Sequence, residues 1–143
     1  MVCSFTIDNT VNSVTHDGVA LTIDGQLDNL TKVKTVQFNC TSENPGSLVI
    51  SGSDDDTFDD PSRHCTFAGL ILHCIAFDQS NPWHNFVSDD TNWVDENNLT
   101  PCASTTGGFL DSGLSFVNDM LGNGAKKIWA TRKDVTLTGT PPS

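Results

Sequence analysis

The stretch Gly69-Leu70-Ile71-Leu72-His73-Cys74-Ile75-Ala76-Phe77 is the most apolar run in the chain, and its reading decides the fold. A strand that faces water on one side alternates polar and apolar residues, whereas one covered on both faces loses that alternation. The run is therefore expected to be a central strand that anchors the core. Its neighbours in sequence read as strands and turns in both directions. Upstream, Cys3 to Asp8 alternates with period two, and Val11–His16 and Val19–Ile23 flank Asp17-Gly18, a dipeptide suited to the positive φ of a tight hairpin. Lys32 to Phe38 puts Val33, Thr35 and Gln37 on one face and Lys34, Val36 and Phe38 on the other. Ser47 to Gly52 is a short buried strand entered through the turn Asn44-Pro45-Gly46.

Downstream, residues 81 to 102 carry two Trp and no sustained period, which reads as a long structured loop with one short strand. Leu114, Phe116, Val117, Met120 and Leu121 have helical spacing, and Gly122 and Gly124 close the segment, so one short helix is expected near 114–121. Lys127–Ala130 and Val135–Thr138 are the last strands. About eight short strands separated by turn signals define an all-β fold, a single β-sandwich domain over 1–143, of Greek-key or jelly-roll connection, with an up-and-down barrel as the competitor.

Composition narrows the setting. The net charge of −11 comes from 18 acids against 7 bases and repels nucleic-acid phosphates, so nucleic acid is not an expected partner. No run of about 18 apolar residues is present, so no membrane span is expected. The five cysteines, at 3, 40, 65, 74 and 102, lack the C-x2-C pairs of zinc ribbons and redox motifs and read as disulfides of a secreted or cell-surface protein. Cys65 with Cys74, which bracket one apolar segment, and Cys40 with Cys102 are the expected bridges, leaving Cys3 over. Sequons begin at Asn29, Asn39 and Asn98; Asn29 and Asn98 are the candidate glycosylation sites, although 12 asparagines among 30 serines and threonines produce about 2.5 such triplets by chance.

Two segments carry chemistry. Asp54-Asp55-Asp56-Thr57-Phe58-Asp59-Asp60 packs five carboxylates into seven positions, the hard oxygen donors that calcium favours, and Asp54, Asp56 and Asp59 are the candidate ligands. The same run also reads as a solvated acidic loop. Trp83-His84-Asn85, with Asp89, Asp90 and Trp93, combines aromatic, amide, imidazole and carboxylate groups; an aromatic ring covers the apolar side of a pyranose while the polar groups bond its hydroxyls. The alternative is that both Trp belong to the core. The four histidines share no local motif with a Ser or Cys nucleophile, so a non-catalytic role is expected. Four of the seven bases lie between Lys126 and Lys133, a basic strip that could meet the acidic loop of a second copy.

Phe5-Thr6-Ile7-Asp8-Asn9, Leu48 to Asp54, Trp93 after an Asp-rich turn, and Lys127-Ile128-Trp129-Ala130 together resemble the galactose-binding-domain-like jelly rolls. The resemblance implies a secreted module that binds glycans at the loop end of a sandwich. A carbohydrate-binding module, with calcium as a candidate cofactor and glycans or extracellular proteins as partners, is the expected function. A self-assembling subunit of an extracellular matrix, coat or filament is the alternative.

Overall fold

The computed structural model describes residues 1–142. Eleven strands occur among them: β1 (Val2–Asp8), β2 (Thr10–His16), β3 (Val19–Ala20), β4 (Lys34–Gln37), β5 (Leu48–Ser53), β6 (Gly69–Ile75), β7 (Phe86–Val87), β8 (Trp93–Asp95), β9 (Cys102–Ser104), β10 (Lys127–Trp129) and β11 (Asp134–Gly139). Two helices, α1 (Arg63–Phe67) and α2 (Ser115–Gly122), and a 3-10 turn at Gly108–Asp111 complete the elements. One sheet runs β4-β1-β6-β10-β9 with β7 also on β6, and the other runs β3-β2-β5-β11-β8. Every pairing is antiparallel. Few sequence neighbours pair with one another, which excludes the up-and-down barrel and leaves a two-sheet β-sandwich.

The apolar run forms β6, flanked by β1 on one side and by β10 and β7 on the other. Leu70, Leu72 and Cys74 face the opposite sheet with Cys3, Phe5 and Ile7 of β1, against Val11, Val14, Leu48, Ile50, Val135 and Leu137. Ile71, on the other face of β6, packs in a second cluster with Phe109, Leu110, Val117 and Met120 under α2. Burial on both faces is why this strand shows no alternation. Val11 and Val14 both point inward although they are three positions apart in sequence, because a bulge between Val11 and Ser13 inserts an extra residue and leaves their partners, Gly52 and Ile50, two apart. Val36 of β4 and Phe38 just after it are both buried, on the face they were expected to share. Lys34 shares that face, and its Nζ donates to Thr6 Oγ1 and to the carbonyls of Asn29 and Lys32; burial lowers its pKa to about 8.

The hairpin forms around Asp17 and Gly18, at φ 52° and 81°. The 81–102 segment holds two short strands, β7 and β8, where one was expected, and α1 had no sequence signal strong enough to mark a five-residue helix.

The bridges differ from those expected. Cys3 joins Cys74 and Cys65 joins Cys102, leaving Cys40 as the free thiol. Cys3 and Cys74 stand directly opposite in the β1/β6 register with Cα atoms 4.0 Å apart. Cys65 cannot reach Cys74, because it precedes β6 while Cys74 lies five residues beyond Gly69, about 17 Å along an extended chain and far past disulfide reach. Cys40 follows β4 near Asn81 and Trp83, away from Cys102 on β9.

The sandwich has two poles. The ends of β1 and β5 and the starts of β6 and β11 meet at one, since Asp8 pairs with Gly69 and Ser53 with Asp134. At the other, Val2 pairs with Ile75 and Gly139 with Leu48, so residues 1–2 and 139–142 lie there. Mass spectrometry of an unreduced digest is expected to return linked peptides for Cys3–Cys74 and Cys65–Cys102 and a single alkylatable thiol at Cys40.

Candidate functional site

The residues expected to read a sugar are divided by the fold. Trp83 is fully buried; its Nε1 donates to the Pro45 carbonyl at 2.8 Å, and its ring meets Phe38 and Phe86 edge to face. Trp93 is 1% exposed, donates to the Val87 carbonyl and stacks on Phe86. Gly139 lets the Trp93 ring close on β11, since a Cβ there would stand 2.5 Å from it. Neither indole can stack on a sugar, which corrects that assignment: they are the aromatic core beneath the loop. Asp89 accepts from the amides of Thr91 and Asn92 and so shapes a turn. Asp90 pairs with Lys126 at 3.3 Å on the surface. Only His84 and Asn85 share a depression, of about 400 Å³, with His73, Ile75 and Asn123; there Asn85 accepts from His73 Nε2 at 2.7 Å, and His84 Nδ1 donates to the Ala76 carbonyl.

The acidic run folds over the pole formed by Asp8, Asn9 and Ser53. The amide of Asp54 donates to the Lys133 carbonyl and that of Asp55 to Asn9 Oδ1. Asp54 turns inward, 1% exposed, and its Oδ2 accepts from Nδ1 of the buried His64 at 2.6 Å while Oδ1 accepts from the Asp56 amide. Asp56 and Asp59 remain exposed. Among the described residues no three His, Cys, Asp or Glu are grouped to hold a metal ion, so the three candidate calcium ligands are not gathered around one point. Asp54 had looked like one of several equivalent carboxylates; its distinction is the histidine ten residues later, a signal visible only once α1 is in place.

His64 holds more than Asp54. The Phe58 ring stands edge-on to it with centroids 4.9 Å apart, and Phe67 stacks on Phe58 at 5.6 Å and 23°. Phe67 is 43% exposed. Thr57, Phe58, Asp59, Asp60 and Arg63 line a depression of about 480 Å³ beside these rings. Asp60 fixes the entry to α1 by accepting from the amide and hydroxyl of Ser62, and those bonds hold its carboxyl below the usual range. Cys65, one residue from His64, ties the same helix to β9. The result is a buttressed aromatic platform ringed by hydroxyl, carboxylate and guanidinium groups. Phe58 and Phe67 escaped the sequence reading because Phe58 is a lone ring inside the acidic run, while Phe67, nine positions on, reads as the lead-in to the apolar strand.

Beneath the platform, Lys127 is 2% exposed and donates to the Thr66 carbonyl. Gly69 makes room for it, since a Cβ there would lie 2.1 Å from Lys127 Cγ. The basic strip expected of 126–133 is thereby dismantled. Lys127 is inside, Lys126 pairs with Asp90, and Arg132 donates to Asp95 and Glu96 at 2.9 and 2.6 Å. Lys133 alone of the four stays exposed without an ion pair among the described residues, too little to meet a second acidic loop. Of the two candidate glycosylation sites, Asn29 has its amide on Gln26 and its Oδ1 bonded by Thr31, whereas Asn98 stands exposed in a turn at φ 60°.

Compared with known proteins, the chain matches no family model, no curated protein and no solved structure.

Trp83→Ala is expected to cost about 3–5 kcal/mol, the scale for deleting a large buried aromatic, as read from urea unfolding. A second expectation concerns Asp8, whose carboxyl is pushed up from 3.8 to about 6 by burial and then by the charges of Asp54 and Asp56, with Lys127 opposing. The folded chain therefore holds a proton that the unfolded chain has released between those values. This group's contribution to stability falls as pH rises from about 4 to about 6, and the loss persists above. Asp8→Asn should be more stable than the parent at pH 7, with the difference shrinking toward pH 4 in denaturant titrations.

Proposed function

We propose that the chain is a non-catalytic carbohydrate-recognition module of an oxidising, extracellular setting, and that sugars are held on the Phe58–Phe67 platform. The carrying observation is the pair of stacked phenyl rings, one of them 43% exposed, beside Thr57, Asp59, Asp60 and Arg63 at the loop end of a sandwich. A ring face covers the CH side of a pyranose, while carboxylate and guanidinium groups bond neighbouring hydroxyls in place of water. Two disulfides support the setting, because they persist outside the reducing cytosol. No helix among the described residues is long and apolar enough to cross a membrane.

A second reading, the self-assembling subunit, is favoured by the exposed Val2, Val33 and Ile75, which are 39%, 39% and 58% accessible on the outer side of the sheet that contains β6. It predicts concentration-dependent assembly and no sugar binding.

A broad glycan array followed by calorimetry, run with and without calcium, tests the first reading. Phe67→Ala should weaken the best glycan at least about tenfold, in keeping with about 1.4 kcal/mol of lost contact, and leave the melting transition in place. His84→Ala should bind as the parent does. A parent that binds no sugar, or a Phe67→Ala variant of unchanged affinity, overturns the assignment.

A further inference from the structure

We propose that the Cys65–Cys102 disulfide is a redox-releasable latch on the Phe58–Phe67 platform, opened by a dithiol reductant while Cys3–Cys74 keeps the sandwich intact. As a control of ligand binding, this rests on the reading of the platform as the sugar site; as a structural device it stands alone. The two bridges differ in access. Cys3 and Cys74 are both 0% exposed and lie on adjacent central strands. Cys65 and Cys102 are each part-exposed, and both line an open depression of about 280 Å³ with Leu99, Thr100, Pro101 and Arg132. A small dithiol can reach the second bridge in the folded protein but not the first.

The two bridges also differ in what they hold. Cys3–Cys74 staples strands already joined along seven residue pairs. Cys65–Cys102 ties a helix of five residues to β9, an edge strand that among the described residues pairs only with β10. A helix of that length has no stability of its own, because nucleation costs more than one turn returns, so α1 depends on its tertiary ties. Those ties are the disulfide, the His64–Asp54 pair and the Lys127 bond to the Thr66 carbonyl. Phe67 is the last residue of α1, and Phe58 rests against His64 within it. Loosening α1 therefore separates the two rings that make the platform.

The chemistry is two-electron exchange. One thiolate of the reductant attacks a sulfur of the bridge and forms a mixed disulfide, and the other cysteine departs as a thiol. The second thiol of the reductant then closes on the first, releasing the remaining cysteine, so the reductant is oxidised to its own disulfide while Cys65 and Cys102 each gain an electron and a proton. Cys40 takes no part, for it lies near Trp83 and its thiol is pushed up by burial, which lowers its thiolate fraction.

The test is native-state reduction of the whole chain with dithiothreitol, followed by alkylation, peptide mapping and hydrogen–deuterium exchange. The expected result is that labels appear on Cys65 and Cys102 in addition to Cys40, with Cys3–Cys74 still linked, and that exchange rises across residues 57–68 while β1 and β6 stay protected. The double substitution Cys65→Ser, Cys102→Ser should reproduce that exchange pattern without reductant. Glycan affinity should fall at least about tenfold on reduction and return on reoxidation. Simultaneous loss of both bridges with global unfolding, or unchanged exchange over 57–68 after selective reduction, overturns the latch. A parent that binds no sugar but shows the local rise in exchange removes the proposed function and leaves the latch standing.

Discussion

Coverage of β6 on both faces is the constraint on which the other elements depend. Its inner residues, Leu70, Leu72 and Cys74, commit the strand to the middle of the sandwich, and Ile71 on its outer side then needs a cover of its own. The 3-10 turn and α2 supply that cover, which explains why a chain built mainly of strands uses helical turns within residues 108–122. With α2 over one half, the remainder of the outer face is left with Val2, Ile75 and Val33 partly in water. The apolar content of one strand thus dictates a second layer and leaves an incomplete one beside it.

A second theme is the distribution of charge. A chain with only seven bases buries two of them, Lys34 and Lys127, and commits Arg132 to Asp95 and Glu96. Each buried ammonium donates to backbone carbonyls outside the strand ladders, in the 29–32 turn and at Thr66 near the end of α1. Burial of an ammonium is unfavourable unless its donors are met, so these bonds define the segments they tie as much as they stabilise them. The surface left behind is strongly acidic, and the Asp8 carboxyl is raised first by its own burial and then by the nearby charges of Asp54 and Asp56.

Much of this fold was legible because period and turn chemistry are local properties. The hairpin at Asp17-Gly18, the central strand, the helix near 114–121 and both closing strands lie where side-chain alternation and glycines place them. What failed depended on distance. The cysteine partners follow strand register, and proximity in sequence misled for Cys65 and Cys74, whereas Cys3 found Cys74 across a sheet pairing no local pattern encodes. For Trp83 and Trp93 the core alternative is the one the fold takes, and the carbonyls of Pro45 and Val87 accept their indole protons there. In the acidic run, composition suggested a metal, while the fold spent Asp54 on a histidine and thereby seated Phe58.

The placement of the two poles bears on how such a domain can be held. The chain enters at Met1, whose amino group donates to the Phe38 carbonyl, and runs out past Thr140, whose amide donates to the Asn92 carbonyl, both at the pole remote from Phe58 and Phe67. A tether attached at either end, whether a bead, a fused protein or a neighbouring segment, leaves the aromatic face pointing away from its anchor. Orientation on a support is thus built into the connectivity, and surface-immobilised copies would present their rings outward without further engineering.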